Sequence, residues 1–235
     1  MNFKLIYLAR RNPSIPLEDW PRAWRSHAIY ASQFPVINAT VRGLFYLSRI
    51  IEPTLDGAPF EPPGVSQDYD GVGIGSGPEP VRADLSPDDQ AKIDADELRV
   101  FGAYSPSFSF HCKETLTHGG AAGNAAIIRF LSHKPESTPE AFLRHLNNGH
   151  AAIALRAADA AGTVTRYVHD ALIAEAPPGY PFDAIVETWF GSTDDATRSF
   201  ADRAFSPVVD DLSAFCDAAR SVTLLTRVIH RWPRD

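Results

Sequence analysis

Two cysteines in 235 residues, Cys112 and Cys216, are too few and too far apart for a zinc motif, and they read as reduced thiols instead of a disulfide framework. No apolar run approaches the roughly 20 residues that span a bilayer, and no secretory pattern opens the chain. The expectation is a soluble, cytoplasmic protein with no membrane partner. Basic residues are outnumbered, 22 Lys and Arg against 29 Asp and Glu, for a formal net charge of -7. They gather nowhere into a patch, which argues against nucleic acid as a partner. The glycine-interrupted run Gly71–Gly77 lacks the lysine of a phosphate loop and the strand-to-helix setting of a dinucleotide motif. What is present is 44% hydrophobic residues, ample for a buried core.

The chain is written twice. Leu5, Pro13, Trp20 and Trp24 match Ile127, Pro135, Phe142 and Leu146, each 122 places on. His27 then meets His150, an offset of 123 that requires one inserted residue beside Gly149. Pro62-Pro63-Gly64 with Tyr69-Asp70 answers Pro177-Pro178-Gly179 with Phe182-Asp183, and Asp96-Glu97-Leu98 with Phe101 answers Asp210-Asp211-Leu212 with Phe215. Four blocks in the same order divide the chain into repeats over 1–116 and 124–235, joined by a small-residue linker at 117–124.

Each repeat reads as strand, helix, strand, strand, helix, strand, the split βαβ order of the ferredoxin-like fold. The first strand, Phe3–Ala9, puts Leu5, Tyr7 and Ala9 on one face and Ile6 and Leu8 on the other. In the second repeat Ile127, Arg129 and Leu131 answer the first set, while Ile128 and Phe130 answer the second. The wholly apolar face is expected against helices, and the face carrying Tyr7 or Arg129 is expected to line a cavity. A helix follows, led by Pro16, Glu18 and Asp19 in one repeat and by Thr138-Pro139-Glu140 in the other. Trp20, Trp24 and His27 share its inward face. The second strand is read over 36–51, with Asn38 and Tyr46 toward the cavity, and Asp96-Glu97 and Asp210-Asp211 are read as a solvated helix face. A Pro/Gly-rich loop, Glu52–Gln67 in the first repeat, has the character of segments that cover binding sites or merely cross the surface.

The Lys4-Leu-Ile-Tyr-Leu strand, the proline-led helix, the segment Trp24-Arg25-Ser26-His27-Ala28 and the Tyr69-Asp70 strand start together resemble the EthD family of dimeric α+β-barrel proteins. The second repeat resembles it more loosely, with Leu146 in the tryptophan position and Asn-Asn-Gly before His150. The resemblance implies an α+β fold in which the two ferredoxin-like (βαββαβ) repeats form a dimeric α+β barrel within one chain, with an interior pocket in each half for a small hydrophobic organic molecule. It implies a monomeric pseudo-dimer or a homodimer. Relatives carry out decarboxylation, cyclisation or isomerisation without a cofactor; others are accessory proteins, and distant ones are haem enzymes or oxygenases.

The residues suit proton transfer. Imidazole titrates near neutral pH, and enolisation or ring closure of a carbonyl compound needs little beyond a base and an oxyanion donor. His27 is the candidate base or acid, with Tyr7 or Tyr30 as donor, and His150 with Arg129 forms the corresponding pair, Arg129 holding a substrate carboxylate. Trp24, Tyr30, Tyr46 and Trp189 complete the expected substrate lining, and two unequal pockets are expected because Tyr7 and Arg129 differ. The plain alternative is a histidine that only packs or caps a helix end. The expected reaction is cofactor-free and metal-free; a non-catalytic binding protein is the second reading and an axial haem ligand the third.

Overall fold

The structure, a computed structural model, describes residues 2–81 and 84–233. The first repeat contains β1 (Phe3–Ala9), α1 (Trp20–Ala31), the short α2 (Pro35–Thr40), β2 (Gly43–Arg49), a small hairpin of β3 (Thr54–Leu55) and β4 (Ala58–Pro59), β5 (Gly71–Gly77), α3 (Pro87–Phe101) and β6 (Ser109–Gly119). The second contains β7 (Ala125–Leu131), α4 (Pro139–His145), a π-helical turn (Leu146–His150), α5 (Ala151–Ala161), β8 (Val164–Leu172), β9 (Ala184–Phe190), α6 (Thr193–Arg198), α7 (Ser206–Phe215) and β10 (Val222–Trp232). β6 runs through Gly119, so the crossing between repeats is confined to 120–124.

Local chemistry sets these limits. The Ser86 hydroxyl accepts from the Asp89 amide, Pro87 opens α3, and Gly102 ends it at φ 70°, a left-handed value that glycine adopts without strain. The residue inserted before His150 is absorbed as the π turn, which adds one residue to a helix without breaking it. The expected strand over 36–51 is shorter than it reads. Pro35 supplies a first-turn proline, and 35–40 coil into α2 before β2 begins at Gly43.

Eight strands close into a barrel in the order β1-β5-β2-β10-β7-β9-β8-β6, antiparallel throughout. Each repeat contributes its fourth, first, third and second strands as neighbours, and the barrel is sealed where the fourth strand of one repeat meets the second strand of the other. Both sealing strands, β6 and β10, carry a register shift, between Glu114 and Leu116 and between Val228 and His230. Such bulges bend a strand so that it can serve two sheets. Closure removes every exposed sheet edge from the barrel.

The wholly apolar face of the first strand turns into the barrel and not, as the sequence suggests, against the helices, while the face of Tyr7 and Arg129 lines a cavity as expected. Ile6, Leu8, Ile128 and Phe130 point into the barrel, where they form one core with Val72, Phe110, Ile185 and Leu224 from both repeats. Tyr7 and Arg129 lie on the outer face, under the helices. Period-two alternation separates the faces of a strand but does not say which one closes on its twin.

One end of the barrel interior is charged. Lys4 Nζ lies 3.1 Å from Glu114, 3.0 Å from Asp170 and 2.8 Å from Glu187, all four side chains being buried. Arg166 reaches Glu114 at 3.1 Å, and the Trp189 indole donates to Glu187 at 2.6 Å.

The glycines of β5 make room for rings. A Cβ at Gly71 would collide with the Trp24 ring and the Leu47 carbonyl oxygen, and one at Gly73 would crowd Tyr7 and Tyr46. Gly71→Ala is therefore expected to lower stability by about 1–3 kcal/mol, the usual cost of overpacking, read as an earlier urea midpoint at unchanged slope. An unchanged midpoint would show that Trp24 moves aside freely.

Candidate functional site

Each repeat holds a cavity between its helices and the outer face of its sheet, of about 430 Å³ in the first and about 500 Å³ in the second. The barrel interior, where the pockets are expected from the resemblance, is instead filled by side chains.

The first cavity is built by β1, which presents Leu5 and Tyr7, by α1, which presents His27 one turn beyond Trp24, and by Tyr46 of β2. α2 adds Asn38, α3 adds Glu97, and the sealing strands add His111 from β6 and His230 from β10. The wall thus includes His230 and Trp232 of the second repeat.

His27 is 3% exposed, and its Nδ1 lies 2.6 Å from Asp96 Oδ2. Arg99 donates to the other oxygen of Asp96 through Nε at 2.8 Å. Burial works to raise the Asp96 pKa, but the hydrogen bonds from His27 and Arg99 outweigh it and hold the group below the usual carboxylate range. An ionised carboxylate can only accept, so Nδ1 of His27 carries a hydrogen and Nε2 is the ring nitrogen left to act as an acceptor. Tyr7 and Tyr46 are held protonated. Burial raises both phenols, with the Glu97 charge adding to the effect at Tyr7 and the neighbouring Tyr7 to that at Tyr46. The His27 and Tyr46 rings are nearly parallel, 10° apart with centroids separated by 6.3 Å. A base and two neutral O–H donors therefore share one cavity.

The second repeat keeps the pairing and loses the placement. His150 Nδ1 lies 2.8 Å from Asp211 Oδ2, and Asp211 also takes His145 Nε2 at 3.1 Å. Asp96-Glu97 and Asp210-Asp211 are therefore not a solvated face, since Asp96 and Asp211 turn inward onto a histidine in each repeat. His150, however, is 1% exposed and lies behind the wall of the second cavity, stacked on His169. Burial lowers its pKa, against the pull of Asp211, which favours the neutral ring. The ladder explains the difference. Tyr7, Gly73 and Tyr46 lie abreast in the first sheet, and Arg129, Val186 and His169 in the second. His169 thus replaces Tyr46 and Arg129 replaces Tyr7.

Of the residues expected at the sites, Tyr7, His27 and Tyr46 meet in the first cavity and Arg129 lines the second. Trp24 is fully buried between Trp20 and Tyr46, both at 4.8 Å, and its indole N–H finds no acceptor among the described residues; it braces the wall from behind. Tyr30 packs on Phe34 outside the cavity, to which the same stretch of α1 presents His27, Ala28 and Ala31 instead. Trp189 faces the barrel interior, where Phe45 and Glu187 hold it. Asp96, Glu97, His111 and His230 are site residues that the sequence pattern does not single out. For the two histidines the alternation of β6 and β10 is a usable signal, since each shares a strand face with cavity residues.

The Tyr69-Asp70 and Phe182-Asp183 strand starts are structural. Asp70 accepts from the Arg11 amide at 2.8 Å and guanidinium at 2.9 Å, and Asp183 accepts from the His133 amide at 2.8 Å. Each ties the segment after the first strand to the start of the third.

Residues 134–219 match the EthD domain model, so the match falls on the repeat whose motif is the looser. No curated protein matches the sequence. Among solved structures, a proposed monooxygenase from Fusobacterium nucleatum is similar at a TM-score of 0.56 and 8% identity, over 98% of this chain and 92% of the other. A proposed monooxygenase from Lactobacillus acidophilus gives 0.53 and 8% over 98% and 94%, and an anthrone oxidase-like protein gives 0.50 and 13% over 98% and 92%. At these identities the likeness establishes the dimeric α+β-barrel fold.

Proposed function

We propose that the first cavity is the active site of a cofactor-independent enzyme that moves a proton on a hydrophobic aromatic or polyketide-like carbonyl compound. The observation that carries this reading is the His27–Asp96 pair in the wall of a mostly apolar cavity that also holds two protonated tyrosines. His27 Nε2 takes a proton from the carbon beside the carbonyl, and the C–H electron pair becomes the enolate. Tyr7 or Tyr46 donates a hydrogen bond to the enolate oxygen. The imidazolium then returns the proton to the same carbon or to a conjugated one, giving exchange or isomerisation with every atom balanced. Asp96 holds the ring in the required tautomer and stabilises the imidazolium, as carboxylates do beside catalytic histidines.

Proton exchange can be followed whatever the product. The protein is incubated in D2O with a panel of aryl ketones and aryl β-diketones, and loss of the α-proton signal is measured by NMR. Exchange faster than buffer in at least one compound, abolished in His27→Gln, is the expected result. If compounds bind, as seen by a melting shift, but none exchanges, the cavity is a carrier or accessory binding site instead. That second reading is favoured by one feature, the largely apolar lining of both cavities.

A further inference from the structure

The cavity of the second repeat has a different chemistry from the first. Arg129 stands at the middle of β7, flanked in the ladder by Val186 and Thr223, on the face that looks into the cavity. Around it the lining is chiefly Ile127, Leu131, Phe190, Val208 and Leu212. No carboxylate among the described residues lies within ion-pair distance of its guanidinium. Several other cations set into the body of the protein have one: Lys4 meets three, Arg11 and Arg49 reach Asp70, and Arg166 reaches Glu114. Asp202 and Asp210 also line the cavity, but Asp202 is bonded to the Ala204 amide and Asp210 is exposed.

The other polar groups do not make this a second reaction centre. His150 is outside the wall. The Tyr167 hydroxyl lies 2.8 Å from His169 Nε2, and His169 Nδ1 lies 3.0 Å from Asn147 Oδ1, an acceptor, so Nδ1 bears the hydrogen and Tyr167 donates away from the cavity. Cys216 is a thiol pushed up to about 12 by burial, far from the thiolate a nucleophile needs. A half-buried guanidinium with no counter-charge among the described residues, in a largely apolar chamber whose histidine lies outside the wall, calls for an anion with an apolar body.

We infer that the second cavity is a binding site for an apolar monocarboxylate, anchored by Arg129 and separate from the first cavity. The first repeat helps to roof it. Pro63 and Gly64 line the cavity, and their loop is pinned by Ser66 donating to the Thr223 carbonyl and by Arg198 with Asp56 at 2.7 Å. The Pro/Gly-rich loop of the first repeat therefore covers a site, but the site belongs to the other repeat.

The experiment compares 3-phenylpropionate, 4-phenylbutyrate, octanoate and decanoate with their neutral amides by titration calorimetry on the full chain. At least one acid is expected to bind about 10–100-fold more tightly than its amide, the usual worth of charged hydrogen bonds. In Arg129→Met that preference disappears while amide binding persists, and Arg129→Lys retains part of it. Arg129→Met is also expected to melt no lower than wild type, because it removes an unpaired cation. Acid and amide binding equally to wild type, no acid binding below about 1 mM, or an unchanged acid preference in Arg129→Met would each overturn the inference. His27→Gln leaves acid binding unchanged; its loss in that variant would move the site to the first cavity and overturn it as well.

Discussion

His27→Gln is expected to lower the rate of α-proton exchange by roughly 10²–10⁴-fold, the range a positioned general base contributes, while leaving substrate affinity within a few fold. Glutamine fills a similar volume and keeps a polar end near Asp96, so the wall stays packed. Asp96→Asn tests the pair from the other side. It is expected to lower kcat with little change in KM, because asparagine can present its amide N–H to Nδ1 and stabilise the wrong tautomer. That split separates a positioning residue from a merely structural one, whose loss would act on stability and leave the turnover of folded protein intact. Stability gives a second readout. The Asp96 pKa is lowered in the folded state, so its contribution is present above the unfolded carboxylate range and disappears as pH falls through the folded value. The stability gap between wild type and Asp96→Asn should therefore be full at pH 7 and close on acidification. Undiminished exchange in His27→Gln would end the proton-transfer mechanism.

The repeat and its strand order were legible because they rest on pattern. Alternation on the first strand, proline-led helices and four matched blocks are local features, whereas the pairing of the two sheets into a barrel came only from the resemblance to the EthD family. The insertion beside Gly149 was visible by arithmetic, though its form as a π turn was not. What stayed hidden is what tertiary contact decides. Nothing in Asp96 or Asp211 distinguishes an inward carboxylate from a solvated one until the helix is docked. Trp24 and Trp189 carry the same signal as cavity aromatics, but Gly71 lets the first sink onto the sheet, and β9 turns the second into the barrel. The sidedness of Tyr7 and Arg129 was ambiguous for the same reason: a strand covered on both faces reads alike from either side.

Lys4→Met is expected to destabilise the protein by about 3–5 kcal/mol at pH 7, the cost of removing one partner from a buried ionic group. The magnitude follows from the charge count. Lys4 and Arg166 face Glu114, Asp170 and Glu187, so charge balances only if one carboxyl stays protonated. Asp170 is the group whose surroundings favour the proton. Burial raises its pKa well above the ordinary aspartate value and the Glu187 charge adds to this, whereas at Glu187 the attraction of Lys4, joined by hydrogen bonds from Asp170 and Trp189, overcomes the burial. Without Lys4 two anions would remain with only Arg166, which is itself partly exposed. The sign of the pH dependence distinguishes this account from generic packing. A carboxyl whose pKa is raised on folding takes up a proton, so its contribution to stability is undiminished below the unfolded pKa, about 3.9, and falls as pH rises above it. Asp170→Asn mimics the protonated acid, so its stability relative to wild type should improve from pH 4 to pH 7.5, measured by urea unfolding at each pH. A relative stability that worsens with pH would mean that Asp170 is ionised. The triple variant Lys4→Met, Asp170→Asn, Glu187→Gln leaves only the Glu114–Arg166 pair and is expected to recover most of the Lys4→Met loss. If it recovers none, the cost lies in the lost lysine stem and not in stranded charge.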